Sequence, residues 1–407
     1  MNVGIAQQGI EPRTPIWLGG YRNRTERSTG VLDRLLVTVL VLEIEDNCIC
    51  MLCYDIAAID ADVSMQLRVL VHGQYGIPVE NVFIETTHNH SGTTIRFLGY
   101  EEDCEEGYLE YVIGRSMLAV QEALESKETV RAFFREGEIN GFYGNRNDPD
   151  GIADKGVRII DFRDAEGVNK ATIINMSCHS TVLGPANSLV SSDLFGYVRD
   201  RYEEEFGSKV YMMNATGADL SNRNYRQGAD AAELKRIGSG VYEQIRIIEG
   251  ETELRLDRCV IKQNNQMLHY VPDSEMLDRA YANYIVEQDS PDPDVRKLAI
   301  SALSARKGLR VDEAKDEMVW AHVLDFGDLA LVTVPGEMFS KTGIDIRTAS
   351  PFPVTLIMGY TNGYVGYMVE EGVYGKYFES FTTQMPKGFP EQFAQGAIDI
   401  LTHLERD

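Results

Sequence analysis

Two histidines separated by one residue, His88 and His90, follow directly behind an apolar run at residues 82–84. They lie in the segment THNHSG at 87–92, where a strand is expected to open into a loop. Functional groups gather on loops held by a rigid scaffold, and neutral imidazole is the commonest metal ligand. The pair alone fits an ordinary alternative equally well, in which one ring is hydrogen-bonded in the core and the other is solvated.

Three later segments each carry a zinc-donor residue type at the end of a strand-like run. They are residues 173–179, 329–337 and 354–367, which end at His179, Glu337 and Tyr367. A catalytic zinc takes nitrogen and oxygen ligands from separate parts of the chain and keeps one position open for water. A carboxylate behind the Pro-Gly turn that precedes Glu337 must be solvated, paired or metal-bound, because burying it alone is costly. The four segments together favour a metal centre.

Alternating strand-like and helical runs must position these donors. Residues 35–44, 49–54 and 82–86 have strand character, whereas 60–75 and 106–126 have helical character. This alternation predicts an α/β fold with a mixed β-sheet core flanked by helices. Gly141 to Gly151 is a turn-rich loop.

A charged helical stretch over residues 273–317 is interrupted at 290–293 by the sequence SPDP. The chain then returns to the strand that delivers Glu337, so the stretch is interpreted as a helical excursion. The prediction is therefore one catalytic domain spanning residues 1–407.

Composition limits the class of partner. The 407 residues include 39 Lys and Arg against 63 Asp and Glu, a net charge of −24. This charge repels nucleic acid and anionic membrane surfaces, so neither is an expected partner. No stretch approaches the about 20 apolar residues of a spanning helix, and no signal peptide is evident, which favours a cytoplasmic protein without stable membrane association. The sequence leaves a homo-oligomer open.

Six cysteines are too few to build a domain of this size on disulfides. Cys48, Cys50 and Cys53 invite a metal interpretation, but their segment has the pattern of a continuous apolar strand. Free cysteine commonly behaves as a small buried hydrophobe. The segment is therefore predicted to be a strand.

Five short motifs occur in an order that resembles one enzyme family. They are THNHSG, CHST followed by LVSSDLFGYV, NATGADLSN, VPGE and TNGYVGY. Their order is similar to that in the catalytic domain of the neutral/alkaline ceramidases, and the match spans most of the chain. The resemblance implies a zinc-dependent amide hydrolase. Members often carry a C-terminal immunoglobulin-like domain, which is not expected here.

By this resemblance, the zinc ligands are His88, His179, Glu337 and Tyr367. Such a set leaves the ion cationic enough to lower the pKa of a bound water toward about 7, so that the water can attack a carbonyl. Tyr367 judged alone fits better as a core tyrosine with a satisfied hydroxyl. Its position three residues after Tyr364, as in the family pattern, reverses that preference.

The resemblance also implies three catalytic residues. His90 is assigned general acid/base work, with a hydrogen-bonding role beside the metal site as the alternative. If a strand continued through the motif, the spacing of His88 and His90 would place both rings on one face. Ser221 is interpreted as a substrate-orienting or proton-relaying hydroxyl, and an acyl-serine route stays open. Arg146 could hold a substrate oxygen through its guanidinium.

The resemblance weakens beside the proposed site. The family's SGPGG is replaced by SGTT at 91–94, and its SPN is replaced by SNR at 221–223. A later family tyrosine that stabilises the oxyanion matches either Tyr374 or Tyr377, and the register does not choose between them. Arg223 hints at a polar or anionic substrate, although a single arginine is more often solvated.

The resulting hypothesis is a zinc-dependent amidohydrolase that acts on a small N-acyl compound, with long-chain ceramide an improbable natural substrate. An esterase or lactonase with the same zinc site is the first alternative. The second is a non-catalytic binding protein on the same fold.

Overall fold

The computed structural model describes residues 1–22, 24–96 and 104–404. Within these ranges the strands, in chain order, are β1 (Asn2–Gly9), β2 (Gly30–Val31), β3 (Leu36–Ile44), β4 (Asn47–Tyr54), β5 (Val82–Thr86), β6 (Glu128–Thr129), β7 (Arg131–Glu138), β8 (Gly144–Asn145), β9 (Gly156–Arg163), β10 (Asn169–Met176), β11 (Leu189–Val190), β12 (Lys209–Asn214), β13 (Leu220–Ser221), β14 (Thr252–Leu254), β15 (Leu256–Gln263), β16 (Gln266–Tyr270), β17 (Lys315–Val319), β18 (His322–Gly327), β19 (Leu329–Thr333), β20 (Glu337–Met338), β21 (Val354–Met358) and β22 (Tyr367–Met368).

The α-helices of the described residues are α1 (Ala61–Tyr75), α2 (Tyr108–Glu125), α3 (Asp193–Phe206), α4 (Ala231–Arg246), α5 (Ser274–Glu287), α6 (Pro293–Gly308), α7 (Ser340–Ala349) and α8 (Phe389–His403). None of them is long and apolar enough to cross a membrane.

Three larger sheets form the centre of the molecule. Their strand orders are β5-β4-β3-β1-β6, β12-β10-β9-β7-β14 and β15-β18-β19-β21. Each sheet is mixed, because β4 and β5, β10 and β12, and β19 and β21 pair in parallel while their neighbours pair antiparallel. The carboxyl ends of parallel strands meet at one sheet edge, so loops that follow these pairs are brought together.

Each sheet buries one face in a shared core and the other against helices. The shared core includes Leu40 and Met51 of the first sheet, Ile160 and Ile173 of the second, and Leu331 and Leu356 of the third. Helices α1 and α2 cover the first sheet, α3 and α4 the second, and α7 and α8 the third. The predicted mixed β-sheet core flanked by helices is confirmed.

The charged stretch after residue 273 is a helical hairpin formed by α5 and α6. Its apolar contacts include Leu277, Tyr281 and Ala302, which pack with Phe381 from the C-terminal part of the chain. The helical character and the break near residue 290 are confirmed. The predicted end of the helical stretch at residue 317 is wrong: α6 ends at Gly308, and Lys315–Val319 form β17, which pairs with β16.

Candidate metal centre and active site

His88 and His90 leave the end of β5 in a loop that is fixed by backbone hydrogen bonds. The amide of Asn89 donates to the Ile56 carbonyl at 3.1 Å, and the amide of His90 donates to the Ser180 carbonyl at 3.2 Å. The backbone of His88 is left-handed, with φ +56°, so the segment is not an extended strand. The rings nevertheless converge, with their Nε2 atoms 3.0 Å apart. The predicted proximity holds, but it arises from a bend in the loop and not from strand alternation.

Two further residues with left-handed backbones lie against this loop. They are Tyr360 and Asn362, with φ of 51° and 60°. Asn362 pairs with the backbone of Ile84 in β5, donating from its amide at 2.7 Å and accepting at its side-chain oxygen at 2.8 Å. The Tyr360 ring stacks on His88 at a centroid distance of 4.3 Å. Non-glycine residues adopt this conformation at a cost, so the cluster indicates a segment held in shape by its contacts.

His179 follows the end of β10, next to its parallel partner β12. Its backbone amide donates to the Leu220 carbonyl at 3.0 Å, and its Nδ1 lies 2.7 Å from the Gly217 carbonyl. A carbonyl can only accept, so Nδ1 carries the proton and Nε2 presents a lone pair. His88 is held in the same way, because its Nδ1 lies 2.8 Å from the Ala57 carbonyl. Both rings are therefore fixed in the tautomer that suits a metal ligand.

Glu337 and Tyr367 begin the short parallel pair β20 and β22. The amide of Glu337 donates to the Gly366 carbonyl at 2.9 Å. Gly336 is needed here, because a Cβ at that position would lie 2.8 Å from the same carbonyl oxygen. Tyr364 donates a hydrogen bond from its hydroxyl to Glu337 Oε1. The predicted strand end and sharp turn before Glu337 are thus present.

The donor atoms of these residues converge in a buried space. Glu337 Oε2 lies 3.2 Å from His88 Nε2 and 3.1 Å from His179 Nε2. The donor atoms of His88, His90 and His179 all lie within 4.8 Å of one another. Four ligands bound tetrahedrally at about 2.0–2.1 Å would stand about 3.3 Å apart, close to these separations.

The hydrogen-bond pattern of this cluster also fits a cation. Glu337 Oε2 is buried and has no hydrogen-bond donor among the described residues. It faces two imidazole nitrogens whose protons are on the opposite side of each ring. Arg146 Nη1 donates to one of these lone pairs, at His179 Nε2, and the lone pairs that remain converge on a dry space where a cation would stabilise them. The donor set of imidazole nitrogens and a carboxylate oxygen suits zinc.

Burial determines the protonation state of His179 and His90. It lowers the pKa of His179 to about 3, and the nearby charge of Arg146 acts in the same direction. Burial also lowers the pKa of His90 well below its ordinary value, with further lowering by His88 and His179. Burial would raise the pKa of Glu337, but His88 and His179 hold that pKa well below its usual range. The centre therefore combines neutral His90 and His179 with an ionised Glu337 at neutral pH.

Tyr367 lies at the edge of the same cluster. Burial raises the pKa of its phenol, the charge of Glu337 raises it further, and Arg146 partly offsets both effects. The Arg146 guanidinium carbon lies 5.5 Å from the centroid of the Tyr367 ring. In this environment the phenol keeps its proton unless a nearby cation stabilises the phenolate.

Arg146 and Ser221 are brought to the site by the two-stranded ladder of β8 and β13. The guanidinium of Arg146 is held by Glu379 at 2.7 Å, and its Nη1 donates to His179 Nε2 at 3.1 Å. Ser221 is buried, and its hydroxyl accepts from the amide of Arg223 at 3.2 Å. No imidazole or carboxylate within the described residues lies at hydrogen-bond distance from that hydroxyl.

Two clefts open onto the centre. The first spans about 640 Å³ and the second about 590 Å³, counting the solvent at their open mouths. Both are lined by Gly20, His90, Ser301, Tyr367 and Phe378. Gly20 could not carry a side chain, since its φ is +84° and a Cβ would lie 2.3 Å from the His90 ring.

Several residues of the site were not identified from the sequence. Ser301 and its helix α6 come from the stretch interpreted only as an excursion, and Glu379 had no motif of its own. Neither Tyr374 nor Tyr377 is among the described residues that line the clefts, and the Tyr374 hydroxyl donates to the Met385 carbonyl at 3.0 Å. Local sequence carried no signal for these contacts, because the partners are far apart in the chain.

The cysteine segment is strand β4, as predicted. Cys50 and Cys53 are buried, and burial raises the pKa of both thiols. Such thiols stay protonated and are poor metal ligands. All six cysteines are free.

Comparison with solved structures identifies the fold. The crystal structure of neutral ceramidase from Pseudomonas aeruginosa superposes with a TM-score of 0.76 at 18% identity, covering 100% of this chain and 75% of that one. A structure of a ceramidase complexed with C2 gives a TM-score of 0.74 at 17% identity, covering 100% and 76%. No family model and no curated protein matches the sequence. The chain thus has the neutral ceramidase fold.

Proposed function

We propose that this chain is a zinc-dependent hydrolase that cleaves the C–N bond of an N-acyl compound, with a natural substrate other than long-chain ceramide. The observation that carries the proposal is the buried Glu337 Oε2, which faces two imidazole lone pairs without a hydrogen-bond donor. The neutral ceramidase fold supports hydrolysis as the reaction class.

His88, His179, Glu337 and Tyr367 are the proposed zinc ligands. His88 and His179 are held by carbonyls that fix their tautomers, and Glu337 is held by Tyr364. Zinc, when bound, would polarise the scissile carbonyl and lower the pKa of a water nucleophile. His90 is the alternative fourth ligand, because its Nε2 lies 3.0 Å from that of His88.

His90 is the proposed proton carrier. Its ring lines both clefts, and its lowered pKa leaves it neutral before the reaction. A neutral imidazole can accept the proton of the attacking water and then donate it to the departing amine. The Tyr21 ring contacts His90 edge-on at 4.9 Å and restricts its orientation.

Arg146 and Ser221 are proposed to hold the substrate. Glu379 fixes the guanidinium of Arg146 beside His179, where it can donate a charge-assisted hydrogen bond to a substrate oxygen. Ser221 has no base within reach among the described residues, which favours an orienting hydroxyl over a nucleophile.

The proposal is tested by measuring metal content and hydrolysis together. Purified wild type is expected to contain about one zinc per chain by inductively coupled plasma mass spectrometry, and to release amine from medium-chain N-acyl amides. His179→Ala should lose both zinc and activity. His322→Ala is the matched control, because His322 is also buried but lies outside the cluster.

Two results would contradict the proposal. A wild type that contains no zinc and does not take it up would favour a non-catalytic binding protein. Hydrolysis of ester analogues without any hydrolysis of the matching amides would favour an esterase or lactonase that uses the same residues.

A further inference from the structure

The two clefts that meet at His90 differ sharply in chemistry. The first, here called the apolar cleft, is lined mainly by Ala57, Ala305, Leu309, Tyr364 and Phe378 in addition to the centre itself, with Arg22 and Thr382 also in its lining. These side chains suit a hydrocarbon group.

The second cleft, here called the basic cleft, is lined by four cationic side chains, Arg146, Arg223, Arg226 and Lys297. No Asp or Glu is among the lining residues that the structure describes. Of the four, Arg146 is paired with Glu379 just outside the lining. The chain as a whole has 63 acidic against 39 basic residues, so a lining with cations and without carboxylates runs against its composition. A concave, partly dry surface concentrates the field of such charges and attracts an anion.

Different elements supply these cations, so they form a built surface and not a run of sequence. Arg146 comes from the loop after β8, Arg223 and Arg226 follow β13, and Lys297 lies on α6. The Arg226 guanidinium donates to the Thr181 carbonyl at 2.9 Å. The Lys297 ammonium lies 5.1 Å from the centroid of the Tyr21 ring.

Resting on the function proposed above, we infer that the substrate is an anionic N-acyl compound, with an apolar group in the apolar cleft and a carboxylate in the basic cleft. An N-acyl amino acid with an aliphatic acyl chain is the simplest molecule of this class. Water adds to the scissile carbonyl, the C–N bond breaks, and the proton passes to the nitrogen, giving a fatty acid and a free amino acid. Because the two clefts share His90, the scissile bond lies at their junction.

The first experiment compares octanoyl-glycine with its neutral isostere octanoyl-glycinamide. A hydrogen-bonded charge at the basic cleft should raise kcat/KM for the carboxylate about 10- to 100-fold over the carboxamide. N-octyl succinamate carries the carboxylate on the acyl half. Faster hydrolysis of octanoyl-glycine than of this compound supports the N-acyl amino acid, and the reverse order overturns that assignment.

Two charge-neutralising variants test the residues. Arg223→Gln and Lys297→Gln should each reduce the preference for carboxylate over carboxamide several-fold, and the double variant should bring it close to one. Arg255→Gln is the matched control, because Arg255 is exposed and lines neither cleft. It should leave the preference unchanged. Thermal melting confirms that each variant is folded.

The outcomes separate this inference from the proposed function. Equal hydrolysis of the carboxylate and the carboxamide would overturn the inference while the hydrolase proposal stands. If neither compound is hydrolysed, the hydrolase proposal fails, and titration calorimetry on metal-depleted protein decides the inference. Tighter binding of octanoyl-glycine than of octanoyl-glycinamide supports the basic cleft as an anion site, and equal binding overturns it.

Discussion

Glu85 and Glu337 are both fully buried glutamates near the ends of strands, yet their surroundings shift the pKa of the carboxyl group in opposite directions. Glu85 lies in β5, where Tyr211 donates to its Oε2 at 3.0 Å and the Asn214 amide donates to its Oε1 at 3.0 Å. Burial raises its pKa well above the ordinary value despite these two donors. A neutral carboxyl with satisfied oxygens has a structural role.

Glu337 has one oxygen satisfied by Tyr364 and the other facing two imidazole lone pairs. Its pKa is held well below the ordinary value, so it is ionised. Two equally buried carboxyl groups can therefore be protonated or ionised, and the groups that contact their oxygens decide which. A buried carboxylate oxygen that faces imidazole lone pairs without a donor favours a cation site, whereas a carboxyl group whose oxygens meet donors does not.

The largest expected effect comes from making each glutamate a glutamine. Glu337→Gln removes the negative charge that opposes the cation, and we expect zinc content to fall close to zero and amide hydrolysis to drop on the order of 10³-fold. Glu85→Gln is the matched control, since glutamine resembles the protonated form, and zinc content and activity should stay near those of wild type. Loss of zinc in both variants would break the comparison.

The sequence predicts which donor-type side chains converge, because a donor type at a strand end is a local property; their role as metal ligands stays a prediction. His88, His179 and Glu337 were identified from their residue types, from the strand-like runs before them and from an ordered set of motifs, and the structure brings the three together. The strand and helix bounds were close as well, for example residues 49–54 against β4 and residues 60–75 against α1.

The parts that escaped prediction are contacts between distant residues. Arg146 and Glu379 are separated by 233 positions in the sequence, and Tyr364 and Glu337 are separated by 27 positions. Lys297 lines the basic cleft from α6, a helix whose sequence pattern predicts helical structure but no role in the site. No periodicity or short motif encodes such pairings, because they depend on how the three sheets pack.

His90→Ala tests whether His90 is a third imidazole ligand of the metal, beside His88 and His179, or a proton carrier. As a proton carrier, His90 contributes to catalysis without holding the metal, so kcat should fall about 10²- to 10⁴-fold while zinc content stays near one per chain. His88→Ala, measured in parallel, should lose zinc. If His90→Ala loses zinc to the same extent, His90 is a ligand and Tyr367 is not required as the fourth.

The raised pKa of Glu85 also predicts that the stability of the protein depends on pH. The native state keeps the Glu85 proton after the unfolded chain has lost it above about pH 4.3, so this group makes stability fall as pH rises. Relative to Glu85→Gln, the free energy of unfolding of wild type should therefore decrease by up to about 1.4 kcal/mol per pH unit above that point. Urea denaturation of both proteins from pH 5 to 8 measures the difference. A constant difference over this range would mean that Glu85 is ionised in the native state.

The smallest effects are expected from the two tyrosines that donate to these glutamates. Tyr211→Phe removes a donor from Glu85, and we expect a loss of about 1–3 kcal/mol in the free energy of unfolding with zinc affinity unchanged. Tyr364→Phe removes the hydrogen bond that orients Glu337, and zinc affinity should weaken about 10- to 100-fold. Chelator competition measures the second effect, and urea denaturation of metal-depleted protein measures the first. If both variants lose stability and both keep zinc affinity, the hydroxyl of Tyr364 has the same structural role as that of Tyr211, and the contrast between the two glutamates does not extend to their donors.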